Sequence, residues 1–450
     1  MSNKLNVSDL IDKSRLNAFQ VGIAILCGLC LVMDGFDVQS MGYVAPAIIQ
    51  DWHIAPAALG PVFGAAPFGV LIGSMVCSAL ADRFGRRPLL IWTTLYFALL
   101  TLWTARAGSV QELVLIRFIA GLGLGGIQPN AMALTGEYSP KKNRIMMMMI
   151  ISGGFTAGAA LGGFLSAWLI PITGWRSVFY VGGAVPLLIA LLMYFLLPES
   201  LQFMTLRGKN PREIGKWLKR VEPSVQISES TQFEIREAKM HGAPFAHLFR
   251  DGRAKATILL WIINFMNLIN LYFLSSWLPT VAKEAGYATS TAVLIGTMLQ
   301  VGGTVGAVGL GWWIGKWGFL PVLGLNFLMA SASIAMIGQP GIGLAILVTV
   351  VTIAGWGIVG GQPGVNALAG TYYPTYLRST GIGWGLGIGR IGAIVGPVVG
   401  GQLIGLKWTT QSLFLTAAIP AFISAVLMFS LRWVIKPEAS VTAEADVLAH

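Results

Sequence analysis

The feature that most constrains this chain is a series of long apolar stretches, which recur from about Phe19 to the region of Arg432. Each is about 20 residues long, the length that a helix needs to cross the hydrocarbon core of a bilayer. Short polar loops separate the stretches at a spacing that predicts about twelve helices. Hydrophobic residues make up 55% of the 450 residues, and charged residues only 11%. Runs such as residues 184–197 lack the alternation of a β-barrel, so we predict an all-α membrane protein.

The second feature is an internal repeat. Corresponding residues recur 233 or 234 positions later in the chain: Asp34 and Asn267, Asp37 and Asn270, and Gln128 and Gln362. The repeat predicts two pseudo-symmetric halves of six helices, residues 1–197 and 256–450, joined by a cytoplasmic linker at 198–255. Parallel repeats of this kind are related by an axis along the membrane normal, and the substrate site lies between them.

Lys and Arg residues are distributed unevenly over the loops. Of the 30 such residues, only four lie in one of the two alternating sets of loops: Arg106, Arg176, Lys283 and Lys407. Because positive residues stay inside, both termini and the linker are predicted to be cytoplasmic. The net charge of +11 follows from this bias. It favours a lipid bilayer as partner and argues against nucleic acid, since basic residues beside membrane spans serve topology and anionic headgroups.

Cysteine and histidine positions argue against metal and redox chemistry. Cys27, Cys30 and Cys77 all fall within apolar helices, where small, reduced packing residues are expected. The four histidines lie in loops or at the terminus. We therefore predict no disulfide, no metal site and no cofactor other than a coupling proton, and carboxylates as the acid–base groups inside the membrane.

Two carboxylates, Asp34 and Asp37, lie three residues apart and so share one face of the first helix. An ionised Asp inside a bilayer costs several kcal/mol, and two like charges one turn apart favour protonation of one of them. Both are candidates for the coupling proton. Arg117 lies at a similar depth in the fourth helix, so an Asp–Arg contact is expected, either as part of proton coupling or as a purely structural ion pair.

Arg390 lies about eleven residues into a helix that enters from the cytoplasm, which places it about 16 Å deep, near the bilayer midplane. A guanidinium there needs a partner, which is either an anion, as a substrate carboxylate or an internal ion pair, or else a backbone carbonyl or a helix C-terminus. Gly383 and Gly387 precede it on the same face and leave space for a flat ligand. Amides at this depth either bind the ligand or bridge helices, and aromatic rings either stack on it or pack. The candidate substrate-binding residues are Arg390, Arg117, Gln128, Asn267, Asn270, Gln362, Asn366 and Trp384.

The loop from Ser78 to Arg87 places an Asp beside a cluster of Arg residues, a pattern that can latch neighbouring helix ends. It resembles the loop G-x-L-A-D-R-x-G-R-R of the major facilitator superfamily, with Ser78 in place of the first Gly. The second-half copy, Gly315 to Gly318, lacks the Asp and the Arg cluster. The candidate cytoplasmic gate residues are Asp82, Arg83, Arg86, Arg87, Glu137, Arg144 and Arg378.

Three further motifs resemble the aromatic acid:proton symporters within that superfamily. They are Asp34-Gly35-Phe36-Asp37, the glycine-rich run from Arg117 to Ala131, and Tyr373 to Gly381 with Gly389-Arg390. The resemblance implies a major facilitator fold and uptake of a benzoate-type or hydroxybenzoate-type acid together with protons. It also implies alternating access and a monomer in a bacterial inner membrane.

Other functions fit the sequence less well. The nearest alternative is a proton-coupled transporter of another small organic anion. A sugar transporter has little use for a midplane Arg, and a membrane enzyme has no intramembrane His to use. An internal two-fold repeat with one charged half is unlike a channel, and the absence of a phosphate-binding loop argues against an ATP-driven pump.

Overall fold

The computed structural model describes residues 4–208, 211–223, 225, 231–235 and 245–434. Predictions that concern other residues lie outside this part of the chain, including those for residues 435–450 and for much of the linker.

Nearly all of the described chain is helical, with twelve long helices in two sets of six. The chain begins with strand β1 (Lys4–Asn6) and helix α1 (Val7–Lys13). The first six long helices are α2 (Ala18–Trp52), α3 (Gly60–Phe84), α4 (Arg86–Thr104), α5 (Val110–Tyr138), α6 (Arg144–Thr173) and α7 (Arg176–Leu196). The linker contains α8 (Leu201–Leu206), α9 (Pro211–Val221), strand β2 (Gln232–Glu234) and a 3₁₀ helix, Phe245–Phe249. The other six are α10 (Ala254–Glu284), α11 (Thr289–Trp317), α12 (Phe319–Ile337), α13 (Leu344–Tyr372), α14 (Thr375–Gly405) and α15 (Thr410–Val434).

Eleven of the twelve long helices are long and apolar enough to cross a membrane, as judged by length and composition. The exception is α4, whose 19 residues begin with Arg86 and Arg87. It packs beside α5 and α7 as part of the first half. The predicted all-α membrane fold of about twelve helices is therefore confirmed.

The two halves pack in the same way. In the first half the main helix pairs are α2 with α6, α3 with α5 and α4 with α7. In the second half they are the equivalent pairs, α10 with α14, α11 with α13 and α12 with α15. Even a turn is repeated, because Gly85 and Gly318, 233 residues apart, end α3 and α11 with φ of 102° and 82°. A residue that has a side chain rarely adopts this backbone conformation, so both positions favour glycine.

Close contacts between the halves lie away from the linker. We call the side on which α2 and α10 begin the linker side, and the opposite side the far side. The Gln39 amide of α2 donates to the Ser275 carbonyl of α10 at 3.1 Å, and the rings of Phe63 and Trp277 meet at 4.9 Å. A Cβ at Gly163 of α6 would lie 2.0 Å from Thr297 Oγ1 of α11. All of these residues belong to the far-side parts of their helices.

Towards the linker side, α14 faces open space. A Cβ added at Gly383 or Gly387 would meet no described atom within 4 Å, and Trp384 beside them is 47% exposed. The space between the halves therefore opens to the linker side in this conformation.

The linker side of the first half is covered by short elements. Strand β1 pairs in parallel with β2. Helix α9 packs its buried residues Ile214, Leu218 and Val221 against neighbouring helices of the first half. Trp217 of α9 stacks on Phe19 at the start of α2, with ring centroids 5.9 Å apart.

Glycines at the helix crossings give a test of this packing. A Cβ at Gly158 of α6 would lie 1.9 Å from the Val32 carbonyl oxygen of α2, whereas one at Gly153 on the same helix meets nothing within 4 Å. We expect Gly158→Ala to lower the free energy of unfolding by about 1–3 kcal/mol, because α2 and α6 must move apart. Gly153→Ala is the matched control and should leave stability unchanged or raise it. Thermal unfolding of the purified protein in detergent measures both, and equal melting temperatures would contradict the packing.

Candidate functional site

A buried ion pair joins three helices inside the first half. Asp37 of α2 and Arg117 of α5 are 0% and 1% exposed, and their side chains meet at 2.9 and 3.0 Å. Thr101 of α4 donates to the same carboxylate at 3.0 Å, and Arg117 also donates to the Asp37 carbonyl at 3.2 Å. Each charge is thus neutralised by the other and further satisfied by hydrogen bonds. The expected Asp–Arg contact is present in the structure.

Asp34 lies one turn nearer the linker side and has a different environment. Asp34 is only 5% exposed. In the described part of the chain its carboxylate has no hydrogen bond and no ion pair. A carboxylate so buried and so poorly paired is costly when ionised and readily accepts a proton. The two carboxylates of the motif therefore differ in chemistry, since Asp37 is held by Arg117 and Asp34 is free.

Arg390 is the second intramembrane cation, and it faces the space between the halves. The packed face of α14 lies against α10, where Gly389 and Gly392 approach Leu268 and the Phe265 carbonyl. Ile394, one turn beyond Arg390, approaches Gly64 of α3 in the other half. Within the described chain the Arg390 guanidinium has no hydrogen bond or ion pair. Arg390 lies within electrostatic range of both Asp34 and Tyr272.

A row of amides links α10 to α13 on the linker side of this space. The Asn267 amide donates to Gln362 at 2.7 Å, and Gln362 donates to Asn264 at 2.8 Å and to Asn366 at 3.2 Å. Asn264 was not among the predicted site residues. Its position three residues before Asn267 places it on the same helical stripe, which is the signal that could have identified it.

The remaining predicted binding residues lie elsewhere. The Asn270 amide donates to the Ala417 carbonyl of α15 at 2.6 Å, so Asn270 faces away from the amide row. Trp384 belongs to an aromatic cluster nearer the linker side, with Phe245 at 4.5 Å and Trp261 at 6.2 Å. Gln128 is partly buried on α5, and its side chain has no hydrogen bond within the described residues.

The predicted gate residues make contacts within the first half. Arg86 of α4 pairs with Glu137 of α5 at 2.7 Å, and Ser200 donates to the same carboxylate. Arg144 pairs instead with Asp12 of α1. Glu137 and Arg144 flank one turn, but each binds a different partner: Glu137 pairs with Arg86 of the motif, whereas Arg144 pairs with Asp12, which lies outside it.

Glu199, which sequence reasoning missed, organises this region. One carboxylate oxygen accepts hydrogen bonds from the backbone N–H groups of Arg86 at 3.0 Å and Arg87 at 3.1 Å. It therefore caps the first turn of α4, where a negative charge is stabilised. The position of Glu199 just after the sixth helix, in Pro198-Glu199-Ser200, gives no periodic signal that marks it as a cap.

The other gate candidates lie at the surface of the linker side. Arg87 donates to the Leu197 carbonyl at 2.7 Å, and Arg83 lies over the Phe84 ring at 5.3 Å. Asp82 is exposed, and its backbone carbonyl, rather than its carboxylate, accepts a hydrogen bond from Arg207. Arg378 of α14 is exposed and makes no hydrogen bond or ion pair with the described residues.

A second cleft, of about 860 Å³, lies at the far side and is lined by residues that include Asp51, His53 and Trp175. Its charges are already paired, since Asp51 accepts from the Trp175 indole at 3.0 Å and from Arg176 at 3.1 Å. It lacks the unpaired charges that distinguish the space around Arg390. Among the described residues, no group of three or more His, Cys, Asp or Glu side chains could hold a metal ion.

Comparison with known proteins identifies the class of protein. The family model described as Major Facilitator Superfamily matches residues 27–389 and 260–448. The chain is 38% identical over 428 residues to the 4-hydroxybenzoate transporter PcaK of Pseudomonas putida, with 95% of each chain covered. It is also 38% identical over 427 residues to the gallate transporter of the same organism, with 95% of each covered. The inward open conformation of the xylose transporter XylE from E. coli has a TM-score of 0.74 at 16% identity, covering 96% of this chain and 99% of that chain.

The likeness to XylE supports the fold, and the sequence matches extend over nearly the whole chain. The two relatives are transporters, so this chain is a transporter and not an enzyme. The resemblance inferred from the sequence motifs is confirmed. The chain belongs to the major facilitator superfamily.

Proposed function

We propose that this protein takes up an aromatic carboxylic acid of the benzoate or hydroxybenzoate class together with protons, by alternating access. The observation that carries this proposal is the unpaired guanidinium of Arg390, which faces the space between the two halves. Arg390 is partly exposed to this space, and a cation at membrane depth without a protein partner attracts an anion, so an anion is expected to complete the site. The names of the two relatives, a 4-hydroxybenzoate transporter and a gallate transporter, support an aromatic acid as that anion.

The surroundings of Arg390 favour a flat ligand. Gly383 and Gly387 leave open space along the same helix, and the amide row at Asn267, Gln362 and Asn366 offers neutral hydrogen-bonding groups. We add Asn264 to this proposed binding set and keep Gln128. The contacts of Arg117, Asn270 and Trp384 favour a structural role for each. A small organic anion without an aromatic ring is the alternative substrate.

The coupling proton is assigned to Asp34. Asp37 is neutralised by Arg117, whereas Asp34 has no such partner and lies within reach of the Arg390 charge. An anion bound to Arg390 cancels the attraction that Arg390 exerts on an ionised Asp34, so protonation of Asp34 becomes easier. Substrate and proton then bind with positive cooperativity, which is the thermodynamic basis of symport.

The linker side is proposed to be cytoplasmic, because Lys and Arg are concentrated there. The protein then works as a monomer in a bacterial inner membrane, with both termini inside, the lipid bilayer as its surroundings and no cofactor other than the proton. The ion pairs of Arg86 with Glu137 and Arg144 with Asp12 hold the cytoplasmic end of the first half together. In this inward-facing conformation Asp82 and Arg378 are exposed, and we propose that they take part in the gate when the cytoplasmic side closes.

Arg390 provides the first test. Arg390→Ala should raise the Kd for benzoate or 4-hydroxybenzoate by about 30-fold or more, because truncating one partner of a buried charge pair costs about 2–5 kcal/mol. Arg390→Lys should restore part of the affinity. Calorimetry on the purified protein measures binding, and benzamide, which lacks the charge, should bind at least tenfold more weakly than benzoate. Equal binding by benzoate and benzamide would contradict an anion site.

Asp34 provides the second test. Asp34→Asn should abolish accumulation of the acid in proteoliposomes with an acidic exterior, because the neutral amide cannot carry the proton. Counterflow without a pH gradient should persist, since exchange does not require deprotonation of the empty carrier. If the Asn variant still concentrates the acid against its gradient, the proton is carried elsewhere, with Glu137 as the next candidate.

The ion pair provides the third test, with Asp34→Asn as the matched control. Asp37→Asn or Arg117→Gln alone should lower the free energy of unfolding by about 3–5 kcal/mol, because each leaves a buried charge unpaired. The double variant should recover much of that loss, since no charge remains. Thermal unfolding in detergent separates the two carboxylates. A similar loss in Asp34→Asn would show that the two are equivalent in the folded protein.

A further inference from the structure

One polar side chain at the centre of the molecule is not used by the transport scheme above. Tyr272 of α10 is only partly exposed, and in the described part of the chain its hydroxyl makes no hydrogen bond. A tyrosine hydroxyl both donates and accepts hydrogen bonds, so one that is accessible and makes no bond within the protein can bind a polar group that enters from outside. The Tyr272 hydroxyl is therefore available to a ligand in the space between the halves.

The fully buried tyrosines of the described chain all hydrogen-bond within the protein. Tyr43 donates to the Ala159 carbonyl at 2.9 Å, Tyr138 to the Glu199 carbonyl at 2.6 Å, and Tyr373 to Thr257 Oγ1 at 3.2 Å. Tyr287 and Tyr372 are partly exposed like Tyr272 and also lack a hydroxyl hydrogen bond to the described residues, but they lie at or beyond helix ends. Tyr272 differs from them in its position in the middle of α10, near both Asp34 and Arg390.

The position of Tyr272 is on the seam between the halves. Three residues farther along α10, the Ser275 carbonyl accepts the hydrogen bond from Gln39 of the first half, so this stripe of α10 faces α2. Tyr272 lies one turn nearer the linker side than that contact, at the far-side end of the open space. Its electrostatic interaction with both Asp34 and Arg390 agrees with this location, because those groups belong to opposite halves.

The spacing between Tyr272 and Arg390 matches one substituted benzene ring. Leu268 is level with Arg390, since Leu268 lies 2.6 Å from the position of a Cβ at the neighbouring Gly389. Tyr272 is four residues farther along α10, which is about 6 Å of helix rise towards the far side. A ligand whose carboxylate pairs with Arg390 and whose ring points along α10 would bring its far substituent to the Tyr272 hydroxyl.

We propose that Tyr272 is a specificity-determining residue that hydrogen-bonds a ring hydroxyl of the transported acid. This inference rests on the proposed function, and it narrows the preferred substrate from benzoates in general to hydroxybenzoates. A phenol is suited to this task because it both donates and accepts, as the ring hydroxyl does. An acid without the hydroxyl leaves Tyr272 unpaired, which is how a site built for a hydroxyl rejects its unsubstituted analogue.

The test is a double-mutant cycle in which one of the two changes is made in the substrate. The quantity measured is the half-saturation concentration, the substrate concentration that gives half-maximal proton-driven uptake. It is determined for 4-hydroxybenzoate and for benzoate in proteoliposomes with the wild-type protein and with Tyr272→Phe. We expect the variant to raise half-saturation for 4-hydroxybenzoate by about threefold to tenfold, the usual contribution of one hydrogen bond. The half-saturation concentration for benzoate should stay the same or fall, because benzoate has no group for the lost hydroxyl to bind and no longer leaves that hydroxyl unpaired.

Tyr43→Phe is the matched control, since it also removes one hydroxyl from a central tyrosine but breaks a bond within the protein. It should change the half-saturation concentrations of both substrates by the same factor. Retained benzoate uptake shows that Tyr272→Phe is folded, and calorimetry with both acids checks the same difference in binding alone. Equal changes for the two acids, or no change for either, would overturn the assignment of Tyr272. The proposed function itself fails by a different result, namely that the wild-type protein transports neither acid.

Discussion

The arrangement of this protein depends on the cost of placing a charge inside a membrane. Two guanidinium groups lie within the spans, and the structure treats them differently. Arg117 is enclosed by the Asp37 carboxylate, the Asp37 carbonyl and a Thr101 hydrogen bond to the same carboxylate, so the charge is satisfied before any ligand arrives. Arg390 has no such partner among the described residues. Since both charges carry a similar cost, an unpaired one persists only where its partner is supplied from outside, and the space between the halves is where that partner can enter.

The internal repeat explains why the two charges differ in role. In the first half α2 and α5 are joined by Asp37 and Arg117. The equivalent helices of the second half, α10 and α13, are joined instead by Asn267 and Gln362, the counterparts of Asp34 and Gln128. The first half therefore joins these helices with an ion pair, and the second half joins them with neutral amides. The repeat therefore presents one scaffold with two chemistries, a half that carries Asp34, the proposed proton site, and a half that carries Arg390, the proposed anion site.

Sequence reasoning was most accurate where the membrane itself imposes the pattern. The twelve helices, the two halves and the depth of Asp37 and Arg117 follow from apolar length, offset and helical rise, which are local properties. Partners across helices were harder to predict. Glu137 and Arg144 are seven residues apart in sequence, yet they bind Arg86 and Asp12, because helix packing decides which charges meet. Asn270 keeps the offset of Asp37 but faces α15 instead of the amide row. The missing partners of Arg390, Asp34 and Tyr272 are visible only when all neighbours are known.

Coupling between the two halves then requires contact across the seam, where glycines lie beside side-chain contacts such as that of Phe63 with Trp277. Backbone atoms approach closely at Gly42 beside the Ser275 carbonyl and at Gly60 beside Gly401, both on the far side. Such glycines let the helices approach closely and roll against one another, so the far-side contacts can act as a pivot. Just to the linker side of that pivot lie Asp34, Arg390 and Tyr272. A rocking motion there changes the access of these three groups to solvent but moves them very little. On the proposed scheme, a proton and an anion held there pass from one side of the membrane to the other because the halves move around them.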